Sequence, residues 1–256
     1  MELLREGERA ALATVISSKG STPGKPAFKL LVTESGDTFG SVGGGCMEAD
    51  VISAARDVIR REVTSLLSFT LSEKETGPDG LICGGKVEVY IEPIVSPHII
   101  LLGAGHVAKA IARVGKIAGF GIIVADDRGD YASAERFPEA SKVVVAPFDE
   151  VLDSLPVNRS SYVAVVTRTH QQDEACLRQA LRTEAGYIGM IGSKTKIRKI
   201  FARLIEEGFS KEDLQRIHSP IGLKIGAETS EEIAVSVVAE MIQHRRNSPR
   251  DMGTPV

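Results

Sequence analysis

Cysteine is scarce in this sequence, with three residues at wide spacing among 256. An odd number so spaced implies no disulfide framework; in a reducing compartment the three are thiols whose settings decide whether they react. Long apolar runs are missing: none approaches the ~20 residues that span a bilayer, so no membrane contact is expected. Basic excess is absent as well. The formal net charge of −3 supplies no broad positive surface for phosphates, which excludes a general nucleic-acid binder. The first ten residues are charged throughout and carry no apolar h-region, so no secretory signal is expected and a cytoplasmic location follows by default. What remains is an ordinary globular balance of 43% hydrophobic and 25% charged residues, long enough for one large domain or two modest ones.

Patterning favours two. In residues 1–95 strand-like runs at Ala11–Ser17, Phe28–Thr33 and Thr38–Val42 are separated by turn clusters, one from Lys19 to Gly24 and one at Ser35–Asp37. Met47, Val51, Ala54, Ala55, Val58 and Ile59 recur at helical spacing, and Val87, Val89 and Ile91 alternate with polar neighbours as in a half-buried strand. This is a small α+β domain. Pro93 and Pro97 then mark a linker. Beyond it, strands are expected at His98–Leu102, Gly121–Ala125, Lys142–Ala146, Tyr162–Thr167 and Tyr187–Ile191, with helices near 106–118, 173–183, 194–207, 211–217 and 230–245. Most of these strands are continuous apolar runs, as in parallel strands covered on both faces. The whole reads as an α/β chain, with a doubly wound parallel-sheet domain over 98–246 and a frayed tail over 247–256.

One segment gives that second domain a chemistry. The strand His98–Leu102 runs into Gly103-Ala104-Gly105-His106-Val107-Ala108, a G-x-G-x-x-A pattern. In it the first glycine permits a tight turn, the second lets backbone approach a pyrophosphate, and the amides of the following helix face the phosphate charge. The next strand ends in Asp126-Asp127-Arg128, at the ~20-residue distance where a carboxylate meets ribose hydroxyls. This is the Rossmann fingerprint, and it points to a nucleotide-bearing cofactor. Arg128 suits a 2′-phosphate while the adjacent acids repel one, so NAD and NADP both stay open.

Two cysteines adjoin glycines. Cys46 follows Gly43, Gly44 and Gly45 at a loop-to-helix junction, where backbone amides favour thiolate and an anion. Cys83 precedes Gly84 and Gly85. The bland alternative for both is a small buried residue in a tight turn. Cys176, on a helix face, reads as structural, and two cysteines with no nearby histidine make a poor zinc site. His106 lies inside the fingerprint and His170 follows a strand end; each fits a phosphate contact, a proton donor or a capping role. His98 reads as merely opening its strand. The glycine-bearing segment from His218 to Glu228 reads as a packed loop.

Taken together, Gly40–Glu48, Cys83–Gly85, Gly103–Val107, Asp126–Arg128, Tyr187–Ser193 and His218–Thr229 make the chain resemble the XdhC/CoxI family of maturation factors for xanthine and carbon monoxide dehydrogenases. The resemblance covers nearly the whole chain; Thr169 stands where the family's pattern has glycine, and the amino-terminal segment is short. It implies binding of molybdenum cofactor, support of its sulfuration, and insertion into a molybdenum hydroxylase apoenzyme, with a cysteine desulfurase as second partner. It implies a cofactor-binding accessory protein more than a turnover enzyme, with Cys46 first and Cys83 second for the sulfur-related contact. The competing reading is an NAD(P)-dependent oxidoreductase, which rests on the fingerprint alone because no Tyr-x-x-x-Lys pair accompanies it. A third is a nucleotide-sensing adaptor. A homodimer is expected on general frequency.

Overall fold

The computed structural model describes residues 9–71 and 85–247, which divide into two compact units, one up to Val95 and one from Ser96. In the first unit β1 (Ala10–Gly20), β2 (Lys29–Thr33), β3 (Thr38–Gly40), helix α1 (Gly45–Arg61), β4 (Ser65–Leu71) and β5 (Gly85–Ile94) follow in order. The strands form an antiparallel sheet in the order β3-β2-β1-β5-β4.

Alternation decides which face is covered. Ala11, Ala13 and Val15 of β1, Leu30 and Val32 of β2, and Val87, Val89 and Ile91 of β5 are buried. They meet Met47, Val51, Ala55, Val58 and Ile59 of α1 in one cluster. Each large apolar side chain so covered contributes roughly 1.5–3 kcal/mol, which holds α1 on the sheet. A bulge between Val15 and Ser17 shifts the pairing of β1 with β5, and pairing then continues to Gly20 with Gly85. The strand therefore runs into the glycine-containing segment that local signals mark as a turn. Strand β4, whose Ser and Thr content masks its alternation, is paired along β5.

The second unit begins at β6 (His98–Leu102), followed by α2 (His106–Ile117), β7 (Gly121–Asp126), β8 (Lys142–Val145), β9 (Ser161–Val165), α3 (His170–Leu181), β10 (Tyr187–Met190), α4 (Lys194–Glu206), the short α5 (Lys211–Gln215), a two-residue β11 (Ile217–His218) and α6 (Ser230–Asn247). The sheet order is β11-β10-β9-β6-β7-β8, and all neighbouring strands in it are parallel. Numbered within this unit the order is 6-5-4-1-2-3, the Rossmann arrangement, with its switch point between β6 and β9. Residues of β6, β7, β9 and β10 are buried on both faces, which explains their unbroken apolar runs. One face packs on α3 and α4, the other on α2 and α6. Helix α6 runs through Asn247; residues 248–256 of the expected tail lie outside the described residues. No helix among the described residues is long and apolar enough to cross a membrane.

Candidate functional site

The fingerprint turn sits at the carboxyl end of β6, and its two glycines have different jobs. Gly103 is buried with φ +114, and a Cβ there would lie 2.5 Å from the Val166 carbonyl oxygen and 3.0 Å from the Thr167 amide nitrogen. It lets two loops of the protein pass each other. Gly105 has φ −76, and a Cβ built on it meets nothing within 4 Å. It opens α2, whose first turn no side chain caps. These free amides at a helix start are the anion-binding feature of the turn. His106, next in line, is exposed, whereas Val107 is partly buried and packs on the α2–α6 core.

Asp126 behaves differently from a ribose acceptor. It is 1% exposed. Its Oδ2 accepts the Ala104 amide at 2.8 Å and an Arg128 Nη2–H at 3.1 Å, while Oδ1 accepts the Arg128 amide at 3.1 Å and its Nε–H at 2.8 Å. All four donors come from the protein, so the carboxylate shapes the turn. Arg128 in turn lies 3.6 Å from the centre of the Tyr131 ring. Asp127 is exposed and receives both ends of the Arg168 guanidinium, at 2.6 and 2.7 Å, and the Gln172 amide at 3.0 Å. Arg168 beside it lowers the Asp127 carboxyl to about 2.

His170 is exposed as the first residue of α3. The cap of that helix is Thr169, whose side chain accepts the Gln172 amide. Threonine at the glycine position of the family pattern thus has a physical use.

In the first unit, Gly43, Gly44 and Gly45 all take positive φ, at +130, +78 and +66. A Cβ on Gly43 would strike the Pro23–Gly24 backbone, while Gly44 and Gly45 face open space. Cys46 is exposed in the first turn of α1, which removes the buried-residue reading for it. The loop amides, however, already have an anion: Glu48 accepts the Ser41 hydroxyl at 2.5 Å and the Val42 and Gly44 amides at 3.0 and 3.1 Å. The Ser41 hydroxyl bond, with those from the amides, holds its carboxyl below the usual range. Cys83 lies outside the described residues. Cys176 is buried, and burial pushes its thiol well up. No cluster of three or more His, Cys, Asp or Glu side chains able to hold a metal ion occurs among the described residues.

Residues 99–241 match the model of the XdhC Rossmann domain, and residues 3–70 that of the XdhC and CoxI family. The chain belongs to the XdhC and CoxI family. Among its relatives is the uncharacterized protein YqeB of Escherichia coli K12, 32% identical over 241 residues, which cover 93% of this chain and 44% of YqeB. The chain thus spans less than half the length of that relative. A probable xanthine dehydrogenase subunit of Bacillus subtilis is 24% identical, over 95% of this chain and 96% of its own. The molybdenum cofactor insertion chaperone PaoD of Escherichia coli K12 is 23% identical, over 100% and 89%. A solved structure from Bacillus halodurans, described as a xanthine dehydrogenase, shares the fold with a TM-score of 0.55 at 22% identity over 96% of this chain and 94% of its own.

For this XdhC and CoxI family member, residue patterns alone missed three participants. Arg168 and Gln172 are tied to Asp127 only through the fold, from 41 and 45 residues away. Glu48 stands in the quoted glycine motif, and an acid near a helix start is the signal that marks it.

Proposed function

We propose that this chain is a molybdenum-cofactor-binding maturation factor, which supports sulfuration of the cofactor and its insertion into a xanthine dehydrogenase-type hydroxylase. The observation that carries this reading over the oxidoreductase is the state of Asp126. An NAD-dependent dehydrogenase of this fold offers a carboxylate to the ribose hydroxyls at that place; this one is buried and accepts four protein donors. The tyrosine–lysine machinery of hydride transfer has no counterpart among the buried tyrosines either: Tyr162 and Tyr187 belong to the α2–α6 core.

The residues present suit the cargo piece by piece. Molybdenum cofactor carries a phosphate and soft sulfur chemistry at its metal. The uncapped first turn of α2, with Gly105 open above it, fits the phosphate. In the other unit the exposed Cys46 thiol, on a loop whose Gly44 and Gly45 leave its outer side bare, suits a sulfur-related contact. Cys83 is its proposed second. Relatives named as a cofactor insertion chaperone and as part of a xanthine dehydrogenase support the hydroxylase as client. A cysteine desulfurase as sulfur source and a homodimer complete the proposal.

The test is anaerobic purification, denaturation, and identification of released ligands by mass spectrometry and pterin fluorescence. Released molybdopterin upholds the carrier. Released NAD(P) without pterin would overturn it in favour of the oxidoreductase.

A further inference from the structure

At the carboxyl ends of β9 and β10 lies a cavity of about 750 Å³ that the fingerprint does not line. Its wall carries Arg168, His170, Lys196, Lys199 and Arg203, and no carboxylate lines it. Two helix starts meet there, α3 after its cap Thr169 and α4 after its cap Ser193, and both caps are in the wall.

Three of these cations are paired, Lys196 and Arg203 with buried acids and Arg168 with the exposed Asp127. Lys196 pairs with Asp173, whose side chain is 0% exposed. Arg203 gives Nη1–H to Glu174 at 3.0 Å, and Glu174 is shared with Arg178 at 3.1 Å. A guanidinium has five N–H donors, so Arg203 keeps others free. Lys199 and His170 have no ion-pair partner among the described residues. Arg168, Lys196 and Arg203 are thus set against Asp127, Asp173 and a shared Glu174. Lys199 is left in excess. Helix dipoles add positive potential from two directions.

We propose that this cavity is a second oxyanion site, distinct from the fingerprint turn, which takes the phosphate group of a small phosphorylated molecule or free phosphate. Lys199 supplies the uncompensated charge, Arg203 the directed donors, and Arg168 and His170 the rim. The site does not depend on the reading of the chain as a cofactor carrier. A protein that releases no pterin yet binds phosphate here would lose that reading and keep this one.

Isothermal titration of the full chain with inorganic phosphate, and separately with cytidine monophosphate, tests it. Lys199 is exposed, so Lys199→Glu leaves the fold intact; it is expected to weaken phosphate binding about tenfold. The titrations are repeated in a Gly105→Val background, so that phosphate held at the fingerprint turn is told apart from phosphate held here. The His170 ring proton, assigned with His170→Gln, shifts on phosphate addition. Tighter binding of the nucleotide than of phosphate shows that the cavity also grips the rest of a phosphorylated molecule, and equal binding shows that it holds the phosphate group alone. The proposal fails if the wild-type chain binds neither at millimolar concentration, or if Lys199→Glu binds phosphate as the wild type does.

Discussion

The Asp126 carboxylate accepts the amide of Ala104 across the fingerprint turn at 2.8 Å, so the acid at the tip of β7 holds the turn's shape from within. Ala104 is 0% exposed. Asp126→Ala therefore leaves a buried N–H without a partner and releases Arg128. A loss of about 2–4 kcal/mol is expected, read from urea denaturation midpoints at constant m-value. An unchanged midpoint would show that the bond is not formed in solution.

The two fingerprint glycines give an internal control. Gly103→Ala places a methyl group 2.5 Å from the Val166 carbonyl at φ +114, and strain plus overpacking should cost roughly 3 kcal/mol or more. Gly105→Ala meets nothing within 4 Å and should stay within about 1 kcal/mol of wild type, because the entropic gain of alanine is offset by its poor fit to the helix N-cap. Thermal melts of the pair, run side by side, measure the difference. Equal melting temperatures would contradict the packing described for Gly103.

Asp127 sets a pH dependence. Its carboxyl is lowered by Arg168 to about 2, against about 3.9 in an unfolded chain. A lowered carboxylate stabilises the fold above the unfolded value, and the gain disappears as pH falls through the folded one. The pair is largely exposed, so solvent screening limits it to about 1 kcal/mol or less. The stability gap between wild type and Asp127→Asn should be full above about pH 4 and close toward pH 2. A gap that widened on acidification would refute the pairing.

Cysteine reactivity separates the two described thiols. Cys46 is exposed and Cys176 is buried. Under native conditions iodoacetamide should label Cys46 readily, and Cys176 only through unfolding, slower by roughly a thousandfold or more. Peptide mapping by mass spectrometry after timed quenching reads both sites at once. In the same protein, Cys46→Ala is expected to retain the fold while losing sulfurated cofactor; full sulfuration in that variant removes Cys46 from the proposed function.

Where burial is two-sided, as in β6, β7, β9 and β10, the strand is written in the sequence as an apolar run, and those elements and the helices between them are legible within a few residues. Strand β4 was not legible, because Ser65, Ser68 and Thr70 break its pattern and only pairing with β5 makes it a strand. The two-residue β11 exists only through its register with Ile188 and Gly189. At the site, spacing located Asp126 but not its use: whether a carboxylate faces ligand or backbone depends on where the Ala104 amide points. Arg168 was hidden for a related reason, since the partner that orients it comes from another strand's end. Local sequence carries periodicity and turn chemistry; it does not carry contacts closed by topology.

The ring stack beneath α6 has a practical reach. Tyr187 lies over His218 at 4.4 Å between centroids and over Tyr162 at 5.7 Å, with His244 edge-on to both tyrosines. The chain has four tyrosines and no tryptophan. Two of its four tyrosines are thus held in one asymmetric cluster, so part of the near-ultraviolet dichroism reports the seating of the last helix. With no indole emission to overlap, the blue fluorescence of a released pterin is read against a dark background.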